Sequence, residues 1–163
     1  MNALADLFPD SVALASPFPN VSSEKWTEFV RVMMTAPSAS VSASNALGAF
    51  EMMPRRLVDL GILKHDLKRV RSETSKRVIW AAVSGPDHER ARAFLKSLPL
   101  QFRTFMCSMK DYYLTIEKNA VKLPQDCTLS GALALLHRAG LAGLSGSRFP
   151  ATQLVFERAN GIF

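Results

Sequence analysis

Ser44-Asn45-Ala46-Leu47-Gly48-Ala49-Phe50-Glu51-Met52-Met53-Pro54-Arg55-Arg56-Leu57-Val58-Asp59-Leu60-Gly61 is the stretch around which this chain is organised. Its first half is small and turn-prone. Ser44 and Asn45 can hydrogen-bond their own backbone, and Gly48 tolerates angles that other residues avoid. Its second half opens with Pro54 at a first helical position, and Leu57, Leu60 and Ile62 supply a short apolar face that Gly61 can end. A loop with a glycine pivot therefore presents Phe50 and Glu51, and a short basic helix follows at once. Such an arrangement sets one carboxylate at the edge of a cleft.

Working outward, Ser22-Ser23-Glu24-Lys25 reads as a helix start, with a serine cap and an acidic first turn. Trp26, Phe29, Val30, Met33 and Met34 recur at helical spacing, so an amphipathic helix is expected over 23–34, stopped by Thr35-Ala36-Pro37. Downstream, Val70, Val78, Ile79 and Trp80 favour extended structure and a small hairpin. A helix is expected from Pro86 or Asp87 to about Leu98, and Pro99 begins a longer one, to about Val121, with a wide stripe of Phe102, Phe105, Met106, Met109, Tyr113 and Ile116. Thr128 caps a helix that is apolar nearly all round and belongs at the centre of the core. Gly140, Gly143 and Gly146 break it, and a last short helix runs from Pro150 or Thr152 towards Asn160-Gly161.

The expected fold is mainly α: a single helical domain over 22–163 with one small hairpin, preceded by an extended arm over 1–21 that Pro9, Pro17 and Pro19 impose. At 163 residues the chain can bury a core without metals or disulfides. Cys107 and Cys127 have no ligand or framework spacing and read as reduced, structural thiols. The histidines His65, His88 and His137 show no ligand spacing either, so no metal or other cofactor is expected. Asp6 and Asp10, and the want of an early Lys/Arg region, argue against a secretory signal, and no run is long enough to span a membrane.

A net charge of +6 suggests an anionic partner: nucleic acid, a membrane surface or an acidic polymer such as a cell wall. Arg55 to Arg77 carries eight Lys/Arg against three acids and is able to track a nucleic-acid backbone. It holds no aromatic residue and no recognisable binding motif, and contact with an acidic neighbouring subunit explains it equally well.

The pattern Ser-x-x-x-Gly-x-x-Glu-x-Met-Pro, followed by a short helix and Leu60-Gly61, resembles the lytic transglycosylase branch of the lysozyme-like superfamily. Thr128-Leu129-Ser130-Gly131-Ala132-Leu133-Ala134-Leu135-Leu136-His137-Arg138-Ala139-Gly140, with Gly143 and Asn160-Gly161, is similar to that family's small-residue helix and glycine turn. The resemblance implies a lysozyme-like domain acting on or binding peptidoglycan glycan strands. In such enzymes a carboxylic acid protonates the glycosidic oxygen. The resemblance implies a single glutamate in that role, at the end of a helix and followed by serine, after which the sugar's 6-hydroxyl displaces the leaving group without water.

Here the matching helix end is Met33-Met34-Thr35-Ala36-Pro37, and it has no Glu-Ser pair. Glu28 lies about 7 Å too far back along the helix to take the role and reads as part of a solvated face. Glu51 stands where the family usually has a substrate-contacting glutamine and is the better candidate acid. Phe50, Met52 and Met53 would raise its pKa and Arg55 and Arg56 would lower it, while an ion pair with one of those arginines is the structural alternative. By the same match Ser44, Gly48 and Phe50 are expected in a substrate cleft, and Tyr112 is a further residue able to line it.

Three readings of function follow. The first is a degenerate transglycosylase-like domain, structural or peptidoglycan-binding, in a cell-wall-penetrating assembly such as a phage tail, contacting glycan strands or neighbouring virion subunits. It would be virion-associated, or cytoplasmic before assembly. The second is an active lytic transglycosylase or muramidase with a displaced acid, Glu51. The third is a basic nucleic-acid-associated protein.

Overall fold

The computed structural model describes residues 15–42, 44–64, 69–71, 78–80, 87–145 and 148–163, with side chains of 69–71 and 78–80 left aside. The protein is mainly helical. In chain order come α1 (Ser23–Met33), α2 (Pro54–Asp59), β1 (Arg69–Arg71), β2 (Val78–Trp80), α3 (His88–Leu95), α4 (Leu98–Lys118), α5 (Leu129–Ala139), a 3-10 turn (Leu141–Leu144) and α6 (Pro150–Ala159). The two strands pair antiparallel, with Val70 opposite Ile79. Residues 65–68 and 72–77 of the basic stretch, His65 among them, lie outside the described residues.

Local chemistry accounts for most helix ends. The Ser22 hydroxyl accepts from Lys25 N–H at 3.3 Å and caps α1. Pro54 takes the first position of α2. That helix ends in a Schellman motif: Ile62 N–H reaches Leu57 O, Gly61 N–H reaches Val58 O, and Gly61 sits at φ +75°. Asp87 precedes α3 without capping it; its buried carboxylate accepts from Lys64 N–H at 3.0 Å instead. Helix α3 stops at Leu95, short of the expected Leu98, because Leu98 and Pro99 already begin α4.

Two compact units can be distinguished. One comprises residues 34–105. Its core holds Leu47, Phe50, Met52, Leu57, Leu63, Phe94 and Phe105, all almost fully buried. The other joins the described residues up to Met33 with 106–163. In it Trp26, Phe29 and Phe18 form an aromatic cluster with Tyr113 and Phe163, with ring centroids 5.0–6.3 Å apart. Phe18 is 4% exposed, and Val21 N–H turns back to Phe18 O. Residues 15–21 are thus a packed turn and not a continuation of an extended arm, since burying Phe18 against Trp26 requires the chain to fold back.

Helix α5 is the most buried helix of this second unit, with every residue from Ser130 to Leu136 inside, as its all-round apolar pattern predicts. The Thr128 hydroxyl accepts from Gly131 N–H and caps it. Asn160, just past α6, accepts from Thr128 N–H at 2.8 Å and donates to Asp126 O at 2.8 Å. Fully buried Ser130 donates to Ala159 O at 2.7 Å and accepts from Phe163 N–H at 3.2 Å. The Thr-x-Ser-Gly and Asn-Gly segments, about thirty residues apart in sequence, therefore meet in one hydrogen-bonded knot.

Candidate functional site

The site is built from the 34–105 unit. Leu47 stands at its centre, bridging antiparallel to Val41 on one side and to Met52 on the other. The Leu47–Met52 pair exchanges both backbone hydrogen bonds, 2.8 and 3.0 Å, and so closes a tight loop over Gly48–Glu51. Glu51 N–H returns to Gly48 O at 3.1 Å. Such a loop needs left-handed backbone at its ends: Gly48 has φ +78° and Glu51 has φ +48°. For glycine that conformation is free. For a glutamate it is uncommon, and strained backbone of this kind gathers at functional sites.

The loop is held from below by a residue that sequence reasoning overlooked. Gln101, on α4, has no exposed surface. Its Oε1 accepts from Ala49 N–H at 2.9 Å, and its Nε2 donates to Ser38 O at 2.8 Å and Phe94 O at 3.0 Å. A Cβ at Gly48 would stand 2.4 Å from Gln101 Oε1. Gly48 is therefore required twice, by its φ and by the close approach of the amide. The available signal was a polar residue inside an apolar helical stripe, between Leu98 and Phe102.

The chain after α1 joins the same loop. Thr35 and Ala36 both donate their N–H groups to Ala49 O, at 3.0 and 3.3 Å. The Thr35 hydroxyl then donates to Glu51 Oε2 at 2.5 Å. Thr35 is exposed and Glu51 half-buried, so solvent reaches this carboxylate–hydroxyl pair.

The predicted site residues divide accordingly. Glu51 is the last residue of the loop closed by Leu47 and Met52. Phe50 does not line a cleft: it is 1% exposed and stacks on Phe105 at 4.3 Å, because burying a ring in the core outweighs displaying it. Met52 is buried likewise, and Met53 is 40% exposed, so the run of apolar neighbours is spent mainly in the core. Gly48 is buried and acts through backbone shape. Ser44 is exposed, its hydroxyl 3.0 Å from that of Ser42. Glu28, exposed on α1, and Tyr112, half-buried on α4, belong to the other compact unit, so the site assembled within 34–105 contains neither.

No described helix is long and apolar enough to cross a membrane, and no group of three or more His, Cys, Asp or Glu among the described residues could hold a metal ion. Both cysteines are free thiols. Burial pushes the Cys127 thiol up, against a smaller lowering by Arg148, which leaves it a poor nucleophile at neutral pH. A hollow of about 710 Å³ in the second unit, bordered by Lys122, Leu123, Leu144 and Arg148, is lined by no carboxylate among the described residues. No protein-family model, curated protein or solved structure matches the chain.

Proposed function

We propose that this protein is a transglycosylase-like domain lacking the standard helix-end acid, serving as a peptidoglycan-binding or structural component of a cell-wall-penetrating assembly such as a phage tail. The observation that carries this reading is the Thr35–Glu51 hydrogen bond. The segment matching the family's acid-bearing helix end offers a hydroxyl, and the carboxylate beside it comes from the glycine loop. A solvent-accessible carboxylate suits the hydroxyl and amide donors of a glycan strand. The hydrogen bonds of Thr128 with Asn160 and Gly161 support the resemblance independently, since both segments belong to its second motif. Wild type is expected to co-sediment with purified peptidoglycan without releasing soluble fragments. Failure of the folded protein to bind peptidoglycan refutes the glycan-binding role and leaves only a structural one.

A second reading has its own support. A glutamate held at φ +48° is costly unless its placement is used, which favours Glu51 as the displaced acid of an active peptidoglycan lyase or hydrolase. In that case its proton goes to the glycosidic oxygen as the bond to the leaving sugar breaks, and the oxygen of the 6-hydroxyl (lyase) or of water (hydrolase) bonds to the anomeric carbon and returns a proton to the carboxylate. Fragment release by wild type that Glu51→Gln abolishes would establish this reading over the first.

A further inference from the structure

We propose that Thr35 is the positioning residue of this site, holding the Glu51 carboxylate in the orientation in which it meets a glycan. The inference rests on the peptidoglycan reading above and adds to it a residue outside both of the motifs that suggested it.

The two side chains are sixteen residues apart, yet one residue fixes both. Ala49 O accepts from the backbone N–H groups of Thr35 and Ala36, while Ala49 N–H is held by buried Gln101. Glu51, two residues on, is tied through its own N–H to Gly48 O. The Cα positions of donor and acceptor are thus set by the same short piece of backbone, and the hydroxyl–carboxylate bond has only side-chain torsions left to settle. Threonine suits the task because its branched Cβ restricts χ1. A hydrogen bond that orients the carboxylate beforehand removes part of the ordering cost from binding. The hydroxyl has one proton, and it goes to Oε2.

The test is co-sedimentation of the full chain with purified peptidoglycan, for wild type, Thr35→Val, Thr35→Ser, Glu51→Ala and the Thr35→Val/Glu51→Ala double variant, each with its thermal unfolding midpoint. Thr35→Val keeps the volume and removes the donor, and is expected to weaken binding about tenfold, as loss of a hydrogen bond to a charged group does. Thr35→Ser should restore binding to within about twofold, and the double variant should bind no worse than Glu51→Ala, as expected of two groups acting as one unit. If Thr35→Val fails to fold, Thr35→Ala removes the same donor with a smaller side chain and takes its place. Wild-type affinity in a folded Thr35→Val, or additive losses in the double variant, would overturn the positioning role while leaving the peptidoglycan reading intact. Absence of binding by wild type would overturn both.

Discussion

In the 34–105 unit, buried Gln101 ties a loop to the helices beneath it, and Gly48 leaves the room its amide needs. In the other unit, Asn160 and Ser130 tie the chain after α6 to the start of α5, and Gly131 leaves the room: a Cβ there would stand 2.3 Å from Asn160 Oδ1. Both are polar staples threaded past a glycine. They differ in what they hold. The Asn160 knot binds a helix cap to a chain end and satisfies backbone groups that would otherwise be left at two helix termini. The Gln101 staple holds a loop whose last residue is a glutamate in left-handed backbone, with its carboxylate on an exposed hydroxyl. The first arrangement is complete as stability, whereas the second accepts strain to keep a polar pair at the surface. That contrast sets the loop apart from the knot.

The contrast can be broken in several ways. Gln101→Leu should have the largest effect, about 4 kcal/mol of lost stability, because Ala49 N–H and the Ser38 and Phe94 carbonyls lose a buried partner together. Urea denaturation measures it. Gly48→Ala should lose about 3 kcal/mol in the same assay, from its φ of +78° and the collision with Gln101.

Gly131→Ala is expected to lose about 2 kcal/mol, and less in an Asn160→Ala background where the nearest obstruction is gone. A cost unchanged by Asn160→Ala would mean that Phe156, 2.9 Å from the same Cβ, is the real obstacle.

Helix ends offer a control without any clash. Helix α4 finishes in the same Schellman pattern as α2, Val121 N–H to Ile116 O and Ala120 N–H to Glu117 O, but with alanine at φ +44° where α2 has Gly61. Ala120→Gly should therefore stabilise by about 1 kcal/mol, and Gly61→Ala should destabilise by about as much. The smallest effect sharpens the comparison most. Glu51→Gly should raise stability by about 0.5 kcal/mol, since relief of the backbone outweighs loss of the exposed hydrogen bond from Thr35, while the peptidoglycan binding proposed above falls. A destabilised Glu51→Gly would remove the case for strain held in the service of function.

Local pattern made much of this molecule legible in advance. Apolar spacing marked α1, α4 and α5; Thr128 and Pro54 marked helix starts; Gly61 and Gly140 marked helix ends. These features depend on φ, on 3.6-residue periodicity and on donors within a few residues, all of which are written in the neighbouring sequence. The small, turn-prone run before Pro54 likewise marked a loop pivoting on Gly48. Sequence could not decide which polar groups would meet across the chain. Gln101 looked like one more helix residue, Thr35 like a helix stop and Phe50 like a cleft residue, until packing buried the first and third and brought the second to the carboxylate. A buried amide or a half-buried carboxylate takes its partner from whatever backbone the rest of the unit delivers to it, and that delivery is a property of the tertiary structure alone.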